Sequence, residues 1–379
     1  MGMTGAGKST FISLCTQDRA AVAGHGLLSC TSRVTVHTMT YCNRTIHLID
    51  TPGFDDSGRT DGETLQELAF WLAAAYERNI YISGLIYLHR ITDTRLQGSA
   101  FRALTAFKKL CGPENYCGIV LATTRWDELT PDQMSLASGR QRELCKKESF
   151  WGDIHQGGGK VVALSAARID AMNIIKHIVS KDRRLTLAFQ RQLIDEERPI
   201  HKTDAGQLLY DASTEDFRQM QDQLSIAEQD FRNIIDTEHS ERREELSNFM
   251  SNLSQNMKPF ENDLARLKMT AKDLKAVWEE NLRKDLEDIR RASEINEERL
   301  KSRLNQFQSL PNSGYSDTAS VTGMSDEVRQ LERERDDLFI IKKQKLAGRH
   351  STTTTTTMSV VGTGLAVGQL VAALACTVM

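Results

Sequence analysis

The apolar positions change rhythm once along the chain. Up to about residue 185, short apolar runs at 45–49, 84–88, 118–122 and 161–164 alternate with amphipathic stretches. Runs of this length between helical patterns predict buried strands in the βα alternation of a parallel sheet. From Asp204 to about Leu310 the sequence turns charged and Gln-rich, Pro and Gly nearly vanish, and apolar residues recur at helical spacing.

Within that second stretch Leu246, Met250, Leu253, Met257, Phe260, Leu264, Leu267, Ala271, Leu274 and Trp278 follow one another in alternating steps of four and three. Such a stripe predicts a coiled-coil seam, formed either between chains or within a helical hairpin folded back on itself. Pro259 sits inside the stripe. It predicts a kink or a break near Ser254–Lys258, because proline lacks the amide donor and crowds the preceding turn. After Trp278 the register slips to the spacing of Leu282, Leu286 and Ile289.

The expected organisation is a module over 1–185, a helical or coiled-coil region over 186–310, a Ser-, Gly- and Asn-rich linker over 311–325, a short charged helix over 326–350, a Thr-rich spacer over 351–358 and an uncharged apolar segment over 359–379. As a helix that last segment would span about 31 Å, close to the hydrocarbon thickness of a bilayer. Lys342, Lys343, Lys345 and Arg349 precede it, and Gly364 and Gly368 form a GxxxG. Its richness in Ala, Gly and Thr makes insertion only weakly favourable. A tail anchor on the cytosolic face of a membrane, reversible association with a membrane or partner, and a packed or disordered end all stay open.

Composition narrows the function classes. The net charge of -3, from 48 Lys and Arg against 51 Asp and Glu, gives no basic field of the kind nucleic acid requires. The seven cysteines show no CxxC pair, so neither a disulfide framework nor a zinc site is expected, and a reducing cytosol is the default compartment. No secretory pattern opens the sequence, since its first apolar stretch is interrupted by Gly7-Lys8.

Three short motifs carry chemistry. Gly2-Met3-Thr4-Gly5-Ala6-Gly7-Lys8-Ser9 fits the Walker A pattern, and Gly2, Thr4, Gly5, Ala6, Gly7, Lys8, Ser9 and Thr10 form the expected phosphate cradle. Its glycines let successive amides point at phosphate oxygens, Lys8 would reach the β- and γ-phosphates, and the Ser9 hydroxyl would coordinate Mg²⁺. The apolar run at 45–49 ends in Asp50-Thr51-Pro52-Gly53. There Asp50 would hold Mg²⁺, usually through water, and the Gly53 amide would bond a γ-phosphate. Between the two lies Thr31 in Cys30-Thr31-Ser32, the candidate to complete the Mg²⁺ shell, with Ser32 the fallback. Thr123-Thr124-Arg125-Trp126-Asp127 follows the run at 118–122, and a carboxylate at Asp127 can accept two hydrogen bonds from guanine that adenine cannot donate.

With GMTGAGKST, CTS and DTPG in this order, residues 1–180 resemble the septin-related GTPases that include plant AIG-type proteins, vertebrate GIMAP proteins and the chloroplast Toc receptors. Above all they resemble an expanded set of fungal P-loop GTPases with helical tails. The resemblance implies an α/β fold, a P-loop NTPase (Ras-like GTPase) three-layer sheet, followed here by a long helical region. It implies GTP/GDP and Mg²⁺ as ligands, Thr124, Arg125 and Asp127 as base readers, and Ser165 in Leu164-Ser165-Ala166 as the loop over the guanine. Arg125 stands where the family places lysine, which loosens the match but leaves a flat guanidinium able to stack on a base.

Two departures bear on mechanism. Phe54 occupies the place of the water-orienting glutamine of Ras-type enzymes, so hydrolysis by a monomer should be slow. The resemblance then implies activation in a homodimer across the nucleotide face, with Arg90 of His89-Arg90-Ile91-Thr92 acting on the partner's nucleotide; a surface arginine paired with Asp93 or Asp55 is the alternative. The second departure is that no apolar strand precedes Gly2, which predicts an empty slot in the middle of the sheet. A shortened chain is the favoured explanation and a crippled nucleotide module the other. The leading reading is a guanine-nucleotide-binding switch or self-assembling GTPase. A coiled-coil scaffold with a degenerate nucleotide module and an ATP-using P-loop enzyme are the alternatives.

Overall fold

Residues 1–17, 34–54, 59–94, 96, 98–233, 240–308, 327–336 and 339 are described in a computed structural model of the chain. Thr31 and Ser32, the linker, the Thr-rich spacer and the segment 359–379 lie outside the described residues. The chain divides into two compact units, Met1–Leu274 and Lys275–Met379.

The first unit runs α1 (Lys8–Thr16), β1 (Thr35–Tyr41), β2 (Arg44–Asp50), α2 (Asp61–Glu77), β3 (Leu85–Arg90), α3 (Ser99–Cys111), β4 (Ile119–Thr124), α4 (Pro131–Lys146), α5 (Asp153–Gln156), β5 (Lys160–Ala163) and α6 (Arg168–Lys181). It continues through α7 (Ala188–Ile194), α8 (Asp204–Asn233) and α9 (Ser240–Leu267) into the start of α10 (Ala271–Gln308). The four apolar runs form β2, β3, β4 and β5. Strand β1 escapes the apolar pattern because Thr and His dominate it and it has no fully buried position. It pairs antiparallel with β2 from Thr35 opposite Asp50 to Tyr41 opposite Arg44. Cys42 and Asn43 close that hairpin with φ of 49° and 59°, the left-handed pair that a tight two-residue turn demands.

Strands β3, β4 and β5 form a parallel sheet in that order, separate from the β1–β2 hairpin. Into the slot between them come only the opening residues, Gly2 bridging Leu88 and Met3 bridging Phe54. Alternate strand residues face two helical layers. Leu88, Val120 and Ala122 pack with Phe11, Ile12, Ile174 and Ile175 of α1 and α6. On the other face Tyr87 meets Phe107 of α3 with ring centroids 4.8 Å apart. Parallel strands buried on both faces read as continuous apolar runs, which is why β3 and β4 were visible.

The apolar stripe of α9 is partly buried within the chain. Leu253, Met257 and Leu267 are buried, and α9 packs against α8 and α2. Part of the stripe thus packs within the chain, as the helical-hairpin alternative expects. The helix runs through Pro259 and ends at Leu267, so the break is at 268–270 and not at Ser254–Lys258. Two causes account for the correction. Pro259 and Gln255 are both exposed, so the carbonyl that loses its partner can turn to water. At the real break Thr270 and Asp273 cap α10 reciprocally, the Thr270 amide donating to Asp273 Oδ2 at 2.8 Å and the Asp273 amide to Thr270 Oγ1 at 3.2 Å.

Helix α9 docks on the N-terminus of α2. Thr60, the N-cap of α2, donates its hydroxyl to Asp263 Oδ1 at 2.5 Å, Arg266 lies 3.6 Å from Glu63, and Gln66 Nε2 donates to Met269 Sδ at 3.0 Å. Gly62 is needed at this crossing, since a Cβ there would stand 2.7 Å from the Asp263 carboxyl carbon. Burial pushes the Asp263 carboxyl pKa up, against the Thr60 hydroxyl and Arg266, which pull it down.

In the second unit α10 and the helical stretch 327–336 run antiparallel, joined by Asn296 to Glu334 at 3.2 Å and Arg303 to Glu327 at 2.9 Å around buried Ile289, Leu300 and Leu331. The side chain of Leu282 lies outside the described set. Among the described residues no helix is long and apolar enough to cross a membrane.

The docking of α9 gives a stability prediction. Asp263→Ala strips the half-buried Thr60 hydroxyl of its acceptor and should lower the unfolding free energy by about 1–2 kcal/mol in urea titrations. Asp263→Asn, which keeps an acceptor without the buried charge, should cost less.

Candidate functional site

The opening loop has the backbone a phosphate cradle needs. Gly2, Gly5 and Gly7 take φ of 135°, 76° and 89°, conformations that side-chain-bearing residues rarely adopt. They turn successive amides toward one concavity, and Gly7 caps α1 so that the helix's positive end faces the same point. Gly2 also has no room for a side chain, because a Cβ would collide with the Leu88 carbonyl. Lys8 folds over the loop, its Nζ donating to the carbonyls of Gly2 at 3.2 Å and Met3 at 2.9 Å. Thr4 Oγ1 is buried and makes no hydrogen bond. Thr10 is exposed on the first turn of α1.

The expected cation ligands meet. Ser9 Oγ donates to Asp50 Oδ2 at 2.8 Å, and Asp50, at the end of β2, is 3% exposed. The hydrogen bond brings one hydroxyl and one carboxylate, oxygen donors of the kind a hard cation takes, to the same point. Among the described residues no cluster of three or more His, Cys, Asp or Glu could hold a metal. A hard cation with one carboxylate, one hydroxyl and substrate phosphates fits the donor set. Thr31 belongs to the segment outside the described residues, and its place in the shell is not part of the geometry.

Gly53 follows Asp50 by three residues and lies against the cradle. A Cβ on it would stand 2.6 Å from the Thr4 amide nitrogen and 2.9 Å from Lys8 Nζ. Its neighbour Phe54 accepts the Thr4 amide at 3.2 Å through its carbonyl and is 1% exposed. The phenyl ring is a core side chain, not one that could orient water.

The base-reading candidates sit where β4 ends. Thr124 Oγ1 donates to the Ala6 carbonyl at 3.1 Å. Arg125 adopts φ of 63° and donates to the Gly5 carbonyl at 3.0 Å through Nη2, and to Glu128 at 2.9 Å through Nη1. Arg125 thus ties the turn after β4 to the glycine loop. Asp127 is exposed in the turn Trp126–Glu128. Ser165 follows β5, its hydroxyl bonded to Asp170 Oδ2 at 2.6 Å, and the Leu164 amide before it donates to the Thr123 carbonyl at 2.8 Å. Both loops therefore stand at the carboxyl edge of the sheet, beside the cradle.

A family model described as 50S ribosome-binding GTPase matches residues 1–98. The fold is that of a P-loop GTPase. No curated protein matches the chain. Solved structures that resemble it include Toc33 from Arabidopsis thaliana in complex with GDP and Mg²⁺, at 18% identity over 49% of this chain and 85% of that one, with a TM-score of 0.38. Toc33 with Mg²⁺ and GMPPNP matches at 20% identity over 49% and 85%, again at 0.38. A structure of the chloroplast translocon components atToc33 and psToc159, described in terms of dimerization being important for their GTPase activity, matches at 20% identity over 48% and 82%, at 0.37.

Within this P-loop GTPase fold Arg90 pairs with Asp93, Nε to Oδ2 at 3.1 Å, as one of its two sequence readings expected. Its guanidinium also lies over the phosphate loop of its own chain, with Nη1 3.3 Å from where a Gly5 Cβ would be. One pair of residues around the site was not anticipated. Glu67 of α2 bonds both the Val34 amide and Arg59, contacts between positions 8 and 33 residues away that no local motif announces. Its trace in the sequence is a glutamate among the mostly apolar buried positions of α2.

The crowding at Gly53 makes a specific prediction. Gly53→Ala must displace Thr4 and the Lys8 ammonium, and should weaken triphosphate binding by roughly tenfold or more, the equivalent of one charge-assisted hydrogen bond. Isothermal titration of the variant beside the unaltered protein measures it.

Proposed function

We propose that this chain binds guanine nucleotide with Mg²⁺ and hydrolyses GTP to GDP, slowly as a monomer. The observation that carries the reading is the convergence of Lys8, the Ser9–Asp50 pair and the Gly53 backbone on one glycine-built concavity at a helix N-terminus. Lys8 would exchange its two carbonyl partners for β- and γ-phosphate oxygens, the loop amides would bond the remaining oxygens, and Gly53 would offer its amide to the γ-phosphate. Mg²⁺, when bound, supplies charge neutralisation at those oxygens, with Ser9, Asp50 and Thr31 the residues that would hold it. Asp127 would select guanine by accepting from its N1 and exocyclic amine, with Thr124, Arg125 and Ser165 shaping the base site. The septin-related relationship is part of this proposal, supported by the same motifs.

The identity of the base is tested by titrating GTP, GDP and ATP with Mg²⁺. GTP should bind at least tenfold more tightly than ATP, and Lys8→Ala should lose on the order of a hundredfold in GTP affinity. Equal affinity for ATP and GTP points to the ATP-using alternative, and no guanine nucleotide bound at millimolar ligand removes the whole reading.

Turnover separates a GTPase from a scaffold whose nucleotide module only binds. Buried Phe54 favours the scaffold reading, because no side chain at that position can orient a water. Against it stands Arg90, held only by a half-exposed pair with Asp93 and placed at the mouth of the cradle. In a homodimer across the nucleotide face that arginine would stabilise transition-state charge on the partner's nucleotide. Single-turnover rates should then rise with protein concentration and fall by ~10³ in Arg90→Ala. A rate independent of both concentration and Arg90 excludes that role.

A further inference from the structure

The last two residues of β3 serve different places, because successive side chains of a strand leave it on opposite faces. Arg90 lies over the phosphate loop. His89 shares the face of Tyr87, and its ring stands edge-on to Trp151 with centroids 5.9 Å apart. His89 is 5% exposed, and among the described residues its ring nitrogens have no hydrogen-bond partner. A buried imidazole ordinarily has one. This ring instead lines a cavity of about 170 Å³ between the turn after β3, the C-terminal half of α4 and the stretch Lys147 to Phe150. Every residue that lines the cavity is among those described.

The charges around the cavity leave one cation over. Asp93 Oδ2 accepts Arg90 Nε at 3.1 Å, and Glu143 pairs with Lys147 at 2.5 Å, so both carboxylates are matched. Arg140 is half-buried, and its guanidinium makes one hydrogen bond, Nη1 to the Thr92 carbonyl at 3.3 Å, with no ion pair among the described residues. Burial holds the His89 pKa below its ordinary value, with Asp93 pulling it up and Arg90 down, so at neutral pH the ring is uncharged and offers one N–H. A guanidinium fork beside a single N–H matches a monoanion with two coplanar oxygens. Buried Ile91 and Leu144, with Phe150, supply an apolar wall. Since a cavity of about 150 Å³ takes benzene, this one suits roughly six non-hydrogen atoms and is far too small for a nucleotide. We propose that the cavity binds a short-chain monocarboxylate, its carboxylate held by Arg140 and the His89 ring and its alkyl part laid against Ile91, Leu144 and Phe150. An occupant would brace the turn that carries Thr92 and Asp93, and through Asp93 the hold on Arg90.

This site stands apart from the nucleotide reading and is tested on the full chain without nucleotide. Butyrate, of the size the cavity admits, is the probe, with the neutral isostere butyramide and inorganic phosphate beside it. The ring resonances of His89, assigned through His89→Gln, are followed by NMR. Butyrate should shift them saturably, with a dissociation constant on the order of 1 mM. Arg140→Ala should weaken butyrate by about tenfold or more, the loss of a charge-assisted hydrogen bond. Arg140→Lys keeps the charge without the fork and should still lose roughly threefold, which carries the test if the alanine variant does not fold. No shift of the His89 signals at roughly 100 mM butyrate overturns the proposal, as does an Arg140 variant that binds as tightly as the unaltered protein. Butyramide binding as well as butyrate would mean a merely apolar cavity, and phosphate binding as well would mean the wrong anion; either result overturns it too. A His89 shift that grows with protein concentration and no added acid would place an acidic side chain of a second copy in the cavity and overturn the free-acid assignment.

Discussion

Every group in the site is located relative to one short stretch of backbone bonded on both flanks. Met1 and Gly2 join β3, where the Leu88 amide donates to the Met1 carbonyl at 3.0 Å, and Met3 and Thr4 join the end of β2 through Phe54. A loop of three glycines in left-handed conformations has little intrinsic rigidity, because glycine loses more conformational freedom on ordering than any other residue. Here the order comes from outside the loop. Lys8 closes it from below through two carbonyls, Thr124 through Ala6 and Arg125 through Gly5. The loop's carbonyls are satisfied from three directions, and its Thr4 amide is tied to Phe54 and its Ala6 amide to Met3, so its curvature is fixed by partners as well as by its glycines.

The same arrangement explains which parts of the molecule could be read from the chain. GMTGAGKS and DTPG are legible because their chemistry is local: a turn's dihedrals, a helix N-terminus and a strand end all sit within a few residues of one another. The meeting of Ser9 with Asp50 followed from those two motifs together. Strand β1 was not legible, since an edge strand rich in Thr and His carries no apolar run and pairs with only one neighbour. The break at 268–270 lost to Pro259 in the sequence reading because proline is a strong local signal. The Thr270–Asp273 cap and the fully buried Leu267 decide the place instead. The Glu67 pair was invisible for the opposite reason: nothing near Glu67 in sequence says that Val34 and Arg59 come to it.

Arg125 shows what a guanidinium does that an ammonium in its place could not. An ammonium would reach the Gly5 carbonyl as a point donor. A guanidinium donates to that carbonyl with one nitrogen and to Glu128 with another, so the turn after β4 is braced at both ends. The exposed ion pair itself adds little energy. Its effect is geometric, holding the left-handed Arg125 backbone and with it the direction in which Asp127 leaves the turn.

Helix α2 is where the nucleotide module and the helical region become one mechanical object. Its second turn carries Glu67, its N-cap hydroxyl is spent on Asp263 of α9, and Gly62 lets the two helices approach until side-chain and backbone atoms touch. Any rearrangement that moves Arg59 or Val34 must either break a buried carboxylate's bonds or carry α2 along. Moving α2 disturbs Asp263, Arg266 and Met269 in turn. Packed interfaces of this kind respond in discrete steps more readily than by gradual deformation, since few voids exist to absorb a shift. The apolar stripe of α9, read from sequence as a seam either between chains or within a folded-back hairpin, packs in part inside this chain, where it keeps a long helix seated on α8 and α2.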